Sequence, residues 1–418
     1  MNKLYQLTKQ EFARQRDTLN LIASENYPSP KTLQLLGSVW SNKYAEGYPG
    51  KRYYAGNQYT DEMEAYVQEL ALKVFDKTGE YRVNVQLLSG SPANSMVYLT
   101  MLEAGDCILS LNLANGGHLS HLHQTSNFLK FFKHATYDVK EIKPGVFEVD
   151  VKNFAAKLKK YKPKLVIIGF SAYPRAYKFA EMCQLAHQAG SLVLADIAHI
   201  NGLVAANLHD TPFVRGDTGA DFVSMTTHKT MRGPRGAMLF AKERYIEQIN
   251  RTIFPGTSGG PHMHQIAATG QALMEMTGED KYPDGVPFKT YARRILGTCK
   301  ALENALAQNG LEIISPTQNH LCLVKLPKDL DSLDIQKKLE NLGIITNRNM
   351  IPFDTKSPWR PSGLRLGTAA LASRGLSNQQ AGELGSLIAD SVLGRCPESQ
   401  IKKEVKLLAA GLAWYYRW

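Results

Sequence analysis

Short apolar runs alternate with amphipathic stretches along the first two thirds of the chain. Residues 92–102 and 179–189, which lie between such runs, carry apolar side chains at helical spacing. Continuous apolar strands separated by helices are typical of a largely parallel sheet that is covered on both faces. The pattern therefore predicts an α/β fold. The predicted strands are residues 83–88, 107–113, 165–170, 192–195, 222–225 and 237–241.

The pattern changes toward both ends of the chain. The first 45 residues have little strand signal and are predicted to form an arm, which is followed by an amphipathic helix at 60–76. The helical spacing of residues 290–309 predicts a long helix, and Gly310 is placed to end it. The elements predicted after it are a strand at 322–326, a helix at 333–342, a strand at 344–347, a strand-like segment at 363–368 and a terminal helix. We therefore predict an arm (1–45), a large domain (46–275) and a smaller α/β domain (276–418).

Composition and charge narrow the class of protein. The chain has 418 residues, 44% of them hydrophobic, and no apolar run approaches the length of a membrane span. The N-terminus lacks the apolar core of a secretory signal, and the five well-separated cysteines fit free thiols in a reducing compartment, so a cytoplasmic location is predicted. The net charge of +11 suits either nucleic acid or anionic small molecules. Because the lysine-rich segment 152–164 has helical spacing, we interpret it as a solvated helix.

Lys229 is the strongest candidate for chemistry. It follows a predicted strand and precedes a glycine-broken polar loop, so it lies at the strand end where open α/β sheets bind ligands. A lysine amine in such a crevice can lose its proton and condense with a carbonyl, as in the anchoring of pyridoxal 5′-phosphate. Asp196 closes an earlier strand, where a carboxylate can pair with the ring nitrogen of that cofactor. A surface lysine and a turn aspartate remain the alternatives for each residue alone.

Other residues suit the remaining parts of such a cofactor and its substrate. Ser89-Gly90-Ser91 joins a predicted strand to a helix, where backbone amides favour a phosphate, although the same residues also form ordinary turns. His118 can stack on an aromatic ring, and His199 follows Asp196 by three residues. Arg365 in an apolar strand indicates a clamp on a carboxylate or, alternatively, a structural salt bridge.

Two further loops carry candidate residues. Segment 42–56 is rich in glycine and tyrosine, and its Glu46 is a candidate for proton transfer. Segment 254–261 is a second glycine-rich loop that is able to offer amides to an anion. No metal site is predicted, because His118, His121 and His123 have no carboxylate or cysteine near them in the sequence.

These segments together resemble the serine hydroxymethyltransferases, a family of pyridoxal-phosphate enzymes with the aspartate-aminotransferase fold (fold type I). The resemblance runs from about residue 21 to residue 375. Its motifs, in chain order, are Leu-Ile-Ala-Ser-Glu-Asn-Tyr at 21–27, segment 42–54, Ser-Gly-Ser at 89–91, Gly-Gly-His at 116–118, Ser-Ala-Tyr at 171–173, Asp-Ile-Ala-His at 196–199, Thr-His-Lys-Thr at 227–230 with Arg-Gly-Pro-Arg-Gly at 232–236, segment 254–261, and Arg-Leu-Gly-Thr at 365–368.

The resemblance implies a large cofactor-binding domain with a mostly parallel mixed sheet, followed by a smaller C-terminal α/β domain. Lys229 would form the aldimine with pyridoxal 5′-phosphate. The implied cofactor-binding residues are Ser89, Gly90, Ser91, His118, Ser171, Asp196, His199, His228, Lys229 and Tyr44, with Gly259 and Gly260 from a neighbouring subunit. The implied catalytic residues are Lys229, Glu46, His199, Asp196 and Tyr54.

The resemblance also implies the substrates and partners. L-serine or glycine would bind at Ser24, Tyr54, Arg365 and Glu46, and tetrahydrofolate at Leu113, Gly117, Leu119 and Asn347. The implied reaction transfers the hydroxymethyl group of L-serine to tetrahydrofolate and gives glycine and 5,10-methylenetetrahydrofolate. Because Glu46 and its tyrosines face an intersubunit site in this family, the implied working unit is a homodimer. No membrane or nucleic-acid partner is implied.

Two other functions compete with this one. The first is a threonine or β-hydroxy-amino-acid aldolase, or a transaldolase, on the same scaffold with the same cofactor. Retention of the residues that match folate contacts argues against it, because such an enzyme would not need them. The second is a nucleic-acid-binding protein without catalysis, for which the intact Lys229, Asp196 and Arg365 would have no use.

Overall fold

The computed structural model describes residues 2–417; Met1 of the predicted arm and Trp418 of the predicted small domain lie outside the described residues. The helices are α1 (Lys3–Asp17), α2 (Pro30–Leu36), α3 (Gln58–Phe75), α4 (Gly90–Met101), α5 (Val151–Tyr161), α6 (Phe179–Gln188), α7 (Asn201–Ala205), α8 (Glu243–Ile253), α9 (Met263–Thr277), α10 (Phe288–Gln308), α11 (Ser332–Asn341), α12 (Ala369–Ser373), α13 (Asn378–Leu393) and α14 (Glu398–Ala410). Short 3₁₀ turns occur at Val39–Asn42, Leu113–Asn115, Asn127–Lys130 and Gly216–Thr218.

The strands follow the same chain order. They are β1 (Leu19–Asn20), β2 (Gly47–Tyr48), β3 (Lys51–Arg52), β4 (Tyr81–Leu87), β5 (Cys107–Leu111), β6 (Lys133–Tyr137), β7 (Val139–Lys143), β8 (Val146–Val149), β9 (Leu165–Gly169), β10 (Leu192–Asp196), β11 (Phe222–Thr226), β12 (Ala237–Lys242), β13 (Glu312–Ile314), β14 (Leu321–Lys325), β15 (Ile344–Ile345), β16 (Asn347–Asn349) and β17 (Gly363–Gly367).

The larger sheet has seven strands in the order β4-β12-β11-β10-β9-β5-β6. Neighbours are parallel except at β12, which is antiparallel to both β11 and β4. This is the mostly parallel mixed sheet that the sequence predicts, and the predicted fold class is confirmed. Because β12 runs antiparallel to β11, the chain reverses directly after Thr226. The connecting loop 227–236 therefore carries Lys229 at the carboxyl end of β11.

Helices cover both faces of this sheet. All five residues of β9 are buried, and alternate side chains enter different cores: Val166 and Ile168 pack on one face, Leu165 and Ile167 on the other. Alternation of this kind follows from the two-residue repeat of a strand. A sheet buried on both faces therefore exposes its strand ends, and the carboxyl ends are where the candidate residues lie.

A second, antiparallel sheet of order β13-β14-β17-β16 packs against α10, α11, α13 and α14 around its own apolar core. The N-terminal segment joins this part of the molecule, because β1 pairs in parallel with β15 and Leu19 and Leu21 are buried in the same core. The segment then continues past Ala23, which is fully buried, toward Ser24. The predicted domain limits at residues 45 and 275 stay predictions.

Some elements were outside the sequence prediction. Strand β6 at the sheet edge and the β7–β8 hairpin are half polar, so neither produces a continuous apolar run. The lysine-rich helix was predicted, and α5 buries Phe154 and Leu158 while its lysines face outward. In residues 2–417 the five cysteines are free thiols, as the sequence predicts. Over the same residues, no helix combines the length and apolar character needed to cross a bilayer.

Candidate active site

A cavity of about 410 Å³ lies at the carboxyl ends of β9, β10 and β11, closed on other sides by the start of α4 and by β17. A larger groove of about 650 Å³ beside α3 and α8 contains none of the predicted site residues. The predicted residues that line the smaller cavity are Ser24, Ser89, Gly90, Ser91, Leu113, His118, Leu119, Ser171, Asp196, His199, His228, Lys229 and Arg365. Segments far apart in the chain therefore meet in one place.

Asp196 is a buried carboxylate with a complete set of donors. Its Oδ2 accepts hydrogen bonds from Asn94 Nδ2 at 2.8 Å and from His121 Nε2 at 3.0 Å, and its Oδ1 accepts one from the Ala198 amide at 3.1 Å. Because a carboxylate only accepts, His121 must carry its proton on Nε2. Burial alone would raise the pKa of Asp196, but the hydrogen bonds from His121 and Asn94 hold it below its usual value. The acid therefore stays an anion.

The backbone around Lys229 is tied down from several directions. Its carbonyl oxygen accepts hydrogen bonds from Asn26 Nδ2 at 2.6 Å and from the Arg232 amide at 2.9 Å. At the start of the loop, the Thr227 amide donates to Gly236 O at 3.0 Å, and Gly233 N donates back to Thr227 O at 2.7 Å. A loop closed in this way holds its lysine in one place without the support of a helix or strand.

Burial lowers the pKa of Lys229 from 10.5 to about 8. The charge of Asp196 works against this change, and the cations Arg365 and Arg235 add to it. At neutral pH the neutral fraction of the amine is then roughly 300-fold larger than for a free lysine, since each pKa unit is tenfold. A neutral amine is the form that attacks a carbonyl.

The phosphate cradle predicted at residues 89–91 forms the start of α4. Ser89 is the N-cap of this helix and makes no side-chain capping bond. A Cβ on Gly90 would come within 2.9 Å of Thr226 Cγ2, so a larger residue there would push against the end of β11. The uncapped start of a helix, with serine hydroxyls beside it, suits an anion.

Three imidazoles in the cavity wall are held neutral. Desolvation lowers the pKa of His118 and of His228 to about 3 each, and it lowers that of His199 well below the usual value, with the charge of Lys229 adding to the effect. His118 Nδ1 lies 2.7 Å from Ser120 Oγ, and His199 Nδ1 lies 3.1 Å from His320 Nε2. Neutral rings of fixed orientation can stack on, or hydrogen-bond to, a cationic aromatic ring without charge repulsion.

Arg365 presents a guanidinium with a free edge. Its Nη1 donates to Ser171 O at 2.7 Å and its Nε to Asn347 Oδ1 at 3.1 Å. Within residues 2–417, no group accepts a hydrogen bond from Nη2. Burial lowers the pKa of Arg365 to about 10, so the side chain remains a cation at neutral pH. This arrangement suits a carboxylate.

Of the seven predicted site residues that do not line this cavity, five lie together: Tyr44, Glu46, Tyr54, Gly259 and Gly260. They form a second cluster, in which Tyr44 Oη donates to Glu46 Oε1 at 3.2 Å and the rings of Tyr44 and Tyr54 meet edge to face at 5.1 Å. A Cβ on Gly259 would meet Glu46 at 3.3 Å, and one on Gly260 would meet Tyr44 at 3.2 Å. The two tyrosines are about half exposed, at 53% and 49%. In a single chain this cluster faces solvent.

Two of the four residues predicted to contact folate line the cavity, and the other two, Gly117 and Asn347, are bonded to residues of the lining. Gly117 O accepts a hydrogen bond from Ser171 Oγ at 2.7 Å. Asn347 Oδ1 is occupied by Arg365, and its Nδ2 donates to Arg348 O at 2.9 Å. Leu113 and Leu119 are part of the lining.

Residues that the sequence prediction missed complete the site. Asn94 and His121 hold Asp196, His320 contacts His199, and Arg235 lines the cavity. His121 entered the sequence prediction only as one of three histidines without a metal set. A usable signal existed for Asn94, which lies one turn into the helix that starts at the cavity. None existed for His320, whose partner is 121 residues away.

The donor set fits pyridoxal 5′-phosphate. The start of α4 with Ser89 and Ser91 would hold the phosphate, the Asp196 anion would pair with the ring nitrogen, and the neutral Lys229 amine would take the aldehyde. His118 would lie against the ring. In a comparison with known protein families, the family described as serine hydroxymethyltransferase matches residues 1–388.

Proposed function

Because the chain belongs to the serine hydroxymethyltransferase family, we propose that it transfers the hydroxymethyl group of L-serine to tetrahydrofolate. Members of this family are pyridoxal-phosphate-dependent enzymes that move a hydroxymethyl group between serine and glycine. The products here would be glycine and 5,10-methylenetetrahydrofolate. The observation that carries the proposal is that three residues meet in one cavity: Lys229, whose pKa is lowered to about 8; Asp196, a buried carboxylate anion; and Arg365, whose Nη2 has no acceptor among residues 2–417.

The bound cofactor supplies an electron sink for the pair released when the bond between Cα and Cβ of serine breaks. The chain supplies the charges and the proton carriers around it. Asp196, held as an anion by Asn94 and His121, would keep the ring nitrogen of the bound cofactor protonated. Lys229 would hold the cofactor and, once free, would accept or return a proton near neutral pH, because its pKa is about 8.

Arg365 would orient the amino acid. The carboxylate of serine would accept a hydrogen bond from Nη2 of Arg365, and Ser24 also lines the cavity. One end of the substrate would then be fixed. The hydroxymethyl group then has only a limited choice of positions. Exchange of Arg365 for alanine should weaken serine binding far more than cofactor binding, as measured by separate titrations. An equal loss of both would mean that the arginine only supports the fold.

We further propose that the second cluster acts on a neighbouring subunit. In a homodimer, Glu46 and Tyr54 of one chain would reach the cavity of the other, where Glu46 would exchange a proton with the hydroxymethyl group and Gly259 and Gly260 would add amides near the phosphate. The exposure of this cluster in the single chain supports the proposal. In a two-fold dimer, a contact between one chain and the cavity of the other occurs twice, once at each site.

Mixed dimers test the shared site. Lys229→Ala and Glu46→Gln should each be inactive alone. After equal mixing and exchange of subunits, about a quarter of the sites contain both native residues, so about a quarter of the activity should return. If no activity returns although hybrids form, Glu46 and Lys229 serve the same chain and the intersubunit proposal is wrong.

The acceptor is tested by substrate dependence. Conversion of L-serine to glycine should require tetrahydrofolate, and threonine cleavage without folate should be slow by comparison. Lys229→Ala is the negative control for both reactions. Rapid folate-independent cleavage of threonine, without folate-dependent turnover of serine, would instead identify the aldolase.

A further inference from the structure

Arg232, three residues after Lys229, is a fully buried arginine with an unusual environment. It is 1% exposed, and none of its three guanidinium nitrogens has a hydrogen-bond partner among residues 2–417. Its guanidinium carbon instead lies 3.7 Å from the ring centre of Tyr282 and 4.1 Å from that of Tyr291. The cation is therefore clamped between two aromatic faces, where the ring quadrupoles stabilise it.

This arrangement costs stability in two ways. A buried guanidinium without hydrogen bonds loses its hydration and regains only part of it from the rings. The Arg232 backbone also has φ 51°, in the left-handed region that non-glycine residues rarely adopt. An apolar side chain of the same length would fill the space without the desolvation cost. Costs of this kind concentrate at functional sites, which points to a role beyond packing.

The tyrosine clamp connects directly to the lysine loop. Tyr291 Oη donates to Thr230 O at 3.3 Å and accepts from Asn26 Nδ2 at 2.7 Å. The same Asn26 Nδ2 donates to Lys229 O, which also accepts from the Arg232 amide. The carbonyl groups of Lys229 and Thr230 are thus both tied to the group of residues that holds the Arg232 side chain.

Residues 414–416, which lie beyond the part of the chain that matches the family, contact the tyrosine clamp and its neighbours. Tyr415 meets Tyr282 edge to face, with ring centres 5.4 Å apart and an interplanar angle of 82°. Tyr416 Oη donates to Pro28 O at 2.5 Å, and Trp414 packs edge to face on Tyr27. The segment therefore also supports the backbone next to Asn26.

We propose that Arg232 is a positioning residue for Lys229. Because its side chain is stacked between Tyr282 and Tyr291, Arg232 fixes the position of the loop that follows Lys229. The lysine amine then meets the cofactor aldehyde in one orientation. The outer stack through Tyr415 keeps the clamp closed. This role depends on the proposed function of Lys229 as the residue that holds the cofactor.

Arg232→Met tests the proposal, because methionine keeps an unbranched side chain of similar length and removes the charge and the planar stack. Visible circular dichroism of the loaded enzyme reports how the bound chromophore is oriented, and equilibrium dialysis reports pyridoxal-phosphate affinity. We expect an altered visible spectrum and a kcat about 10- to 100-fold lower, with the KM for serine little changed, since small displacements of a reacting group have effects of this size. The matched control is Arg244→Met, which removes an exposed arginine stacked on Tyr245 at 4.7 Å.

The outcomes separate positioning from simple support. If Arg232→Met only lowers the melting temperature and leaves kcat and the visible spectrum as in the native enzyme, the proposal is overturned. If Arg232→Met does not fold, Tyr291→Phe replaces it as the test, because this variant keeps the ring and the arginine but removes the hydroxyl that joins Asn26 to Thr230. A smaller change of the same kind in the visible spectrum supports the proposal. An unchanged spectrum and kcat overturn it. If Lys229→Ala keeps a covalently bound chromophore, the proposed function itself fails, whatever Arg232 does.

Discussion

Exchange of Gly117 for alanine tests whether the backbone near Gly117 fixes the position of Arg365, the residue that would bind the serine carboxylate. A Cβ at this position would lie 2.3 Å from Leu111 O, whereas real Cβ atoms essentially never come closer than 3.0 Å. The loop must therefore open by at least about 0.7 Å. Gly117 is bonded through its carbonyl to Ser171 Oγ, and Ser171 O in turn accepts from Arg365 Nη1, both at 2.7 Å. The displacement is thus passed to the arginine that would hold serine.

The magnitude has two parts. Overpacking of a tight site costs about 1–3 kcal/mol of folding free energy. Displacement of a binding group by a large fraction of an ångström costs up to about 100-fold in rate. We therefore expect Gly117→Ala to lower kcat/KM for serine by about 10- to 100-fold while the protein remains folded, with most of the change in KM.

The assay pairs steady-state kinetics with urea denaturation. The matched control is Gly382→Ala on α13, where a Cβ meets nothing within 4 Å and alanine favours the helix. That variant should keep its activity and lose no stability. If Gly117→Ala loses 1–3 kcal/mol but keeps the native kcat/KM, the connection from Gly117 to Arg365 has no role in binding and the reasoning is wrong.

Three further predictions concern charged groups. His121→Phe removes a hydrogen-bond donor to the buried Asp196 anion and should lower the free energy of unfolding of the cofactor-free protein by about 1.5–3 kcal/mol, as measured by urea denaturation. His134→Phe should cost less, because the bond of His134 is to the neutral Ser110 hydroxyl. Equal losses would contradict the role given to Asp196. The hydrogen bond of His187 to the buried Asp221 raises the pKa of its imidazole above 6.5. Its contribution to the free energy of unfolding is therefore complete below pH 6.5 and is lost as the pH rises through the raised pKa. His187→Gln should lower that free energy by about 1–2 kcal/mol at pH 6 and by clearly less at pH 9, and an equal loss at both would disprove the linkage. The rate at which cofactor-free protein takes up pyridoxal phosphate should rise with pH to a plateau with its midpoint near 8, as followed by absorbance, whereas a rate still climbing at pH 10 would mean that Lys229 is not desolvated.

The inner strands of the large sheet were predictable because burial on both faces requires a continuous apolar run. The predicted strand at 165–170 and the observed β9 (Leu165–Gly169) differ by one residue. Strand β6 was not predicted, because it lies at the sheet edge and only Ala135 and Tyr137 of its five residues are buried. Strand β4 at the other edge was predicted, because six of its seven residues are buried.

The candidate site divides along the same line. Residues that act through their own chemistry, such as Lys229, Asp196 and Arg365, could be found from residue type and position at a strand end. Residues that act through a partner could not. His121 has no distinctive sequence context. Asn94 lies one turn into the helix that starts at the cavity, which places it near the site, but only the approach of both side chains to one carboxylate oxygen reveals what they do.

By itself, the sequence determined which elements form and which chemical groups the chain can offer, because local apolar patterning and side-chain type act over a few residues. Only the tertiary structure decided that the pKa of Lys229 would fall to about 8 and that Asp196 would stay ionised, since both depend on burial and on charges brought in from distant segments. It also decided that the cluster around Glu46 faces solvent in one chain, away from the cavity. Desolvation and hydrogen bonding depend on distance in space, which the order of residues along the chain does not specify.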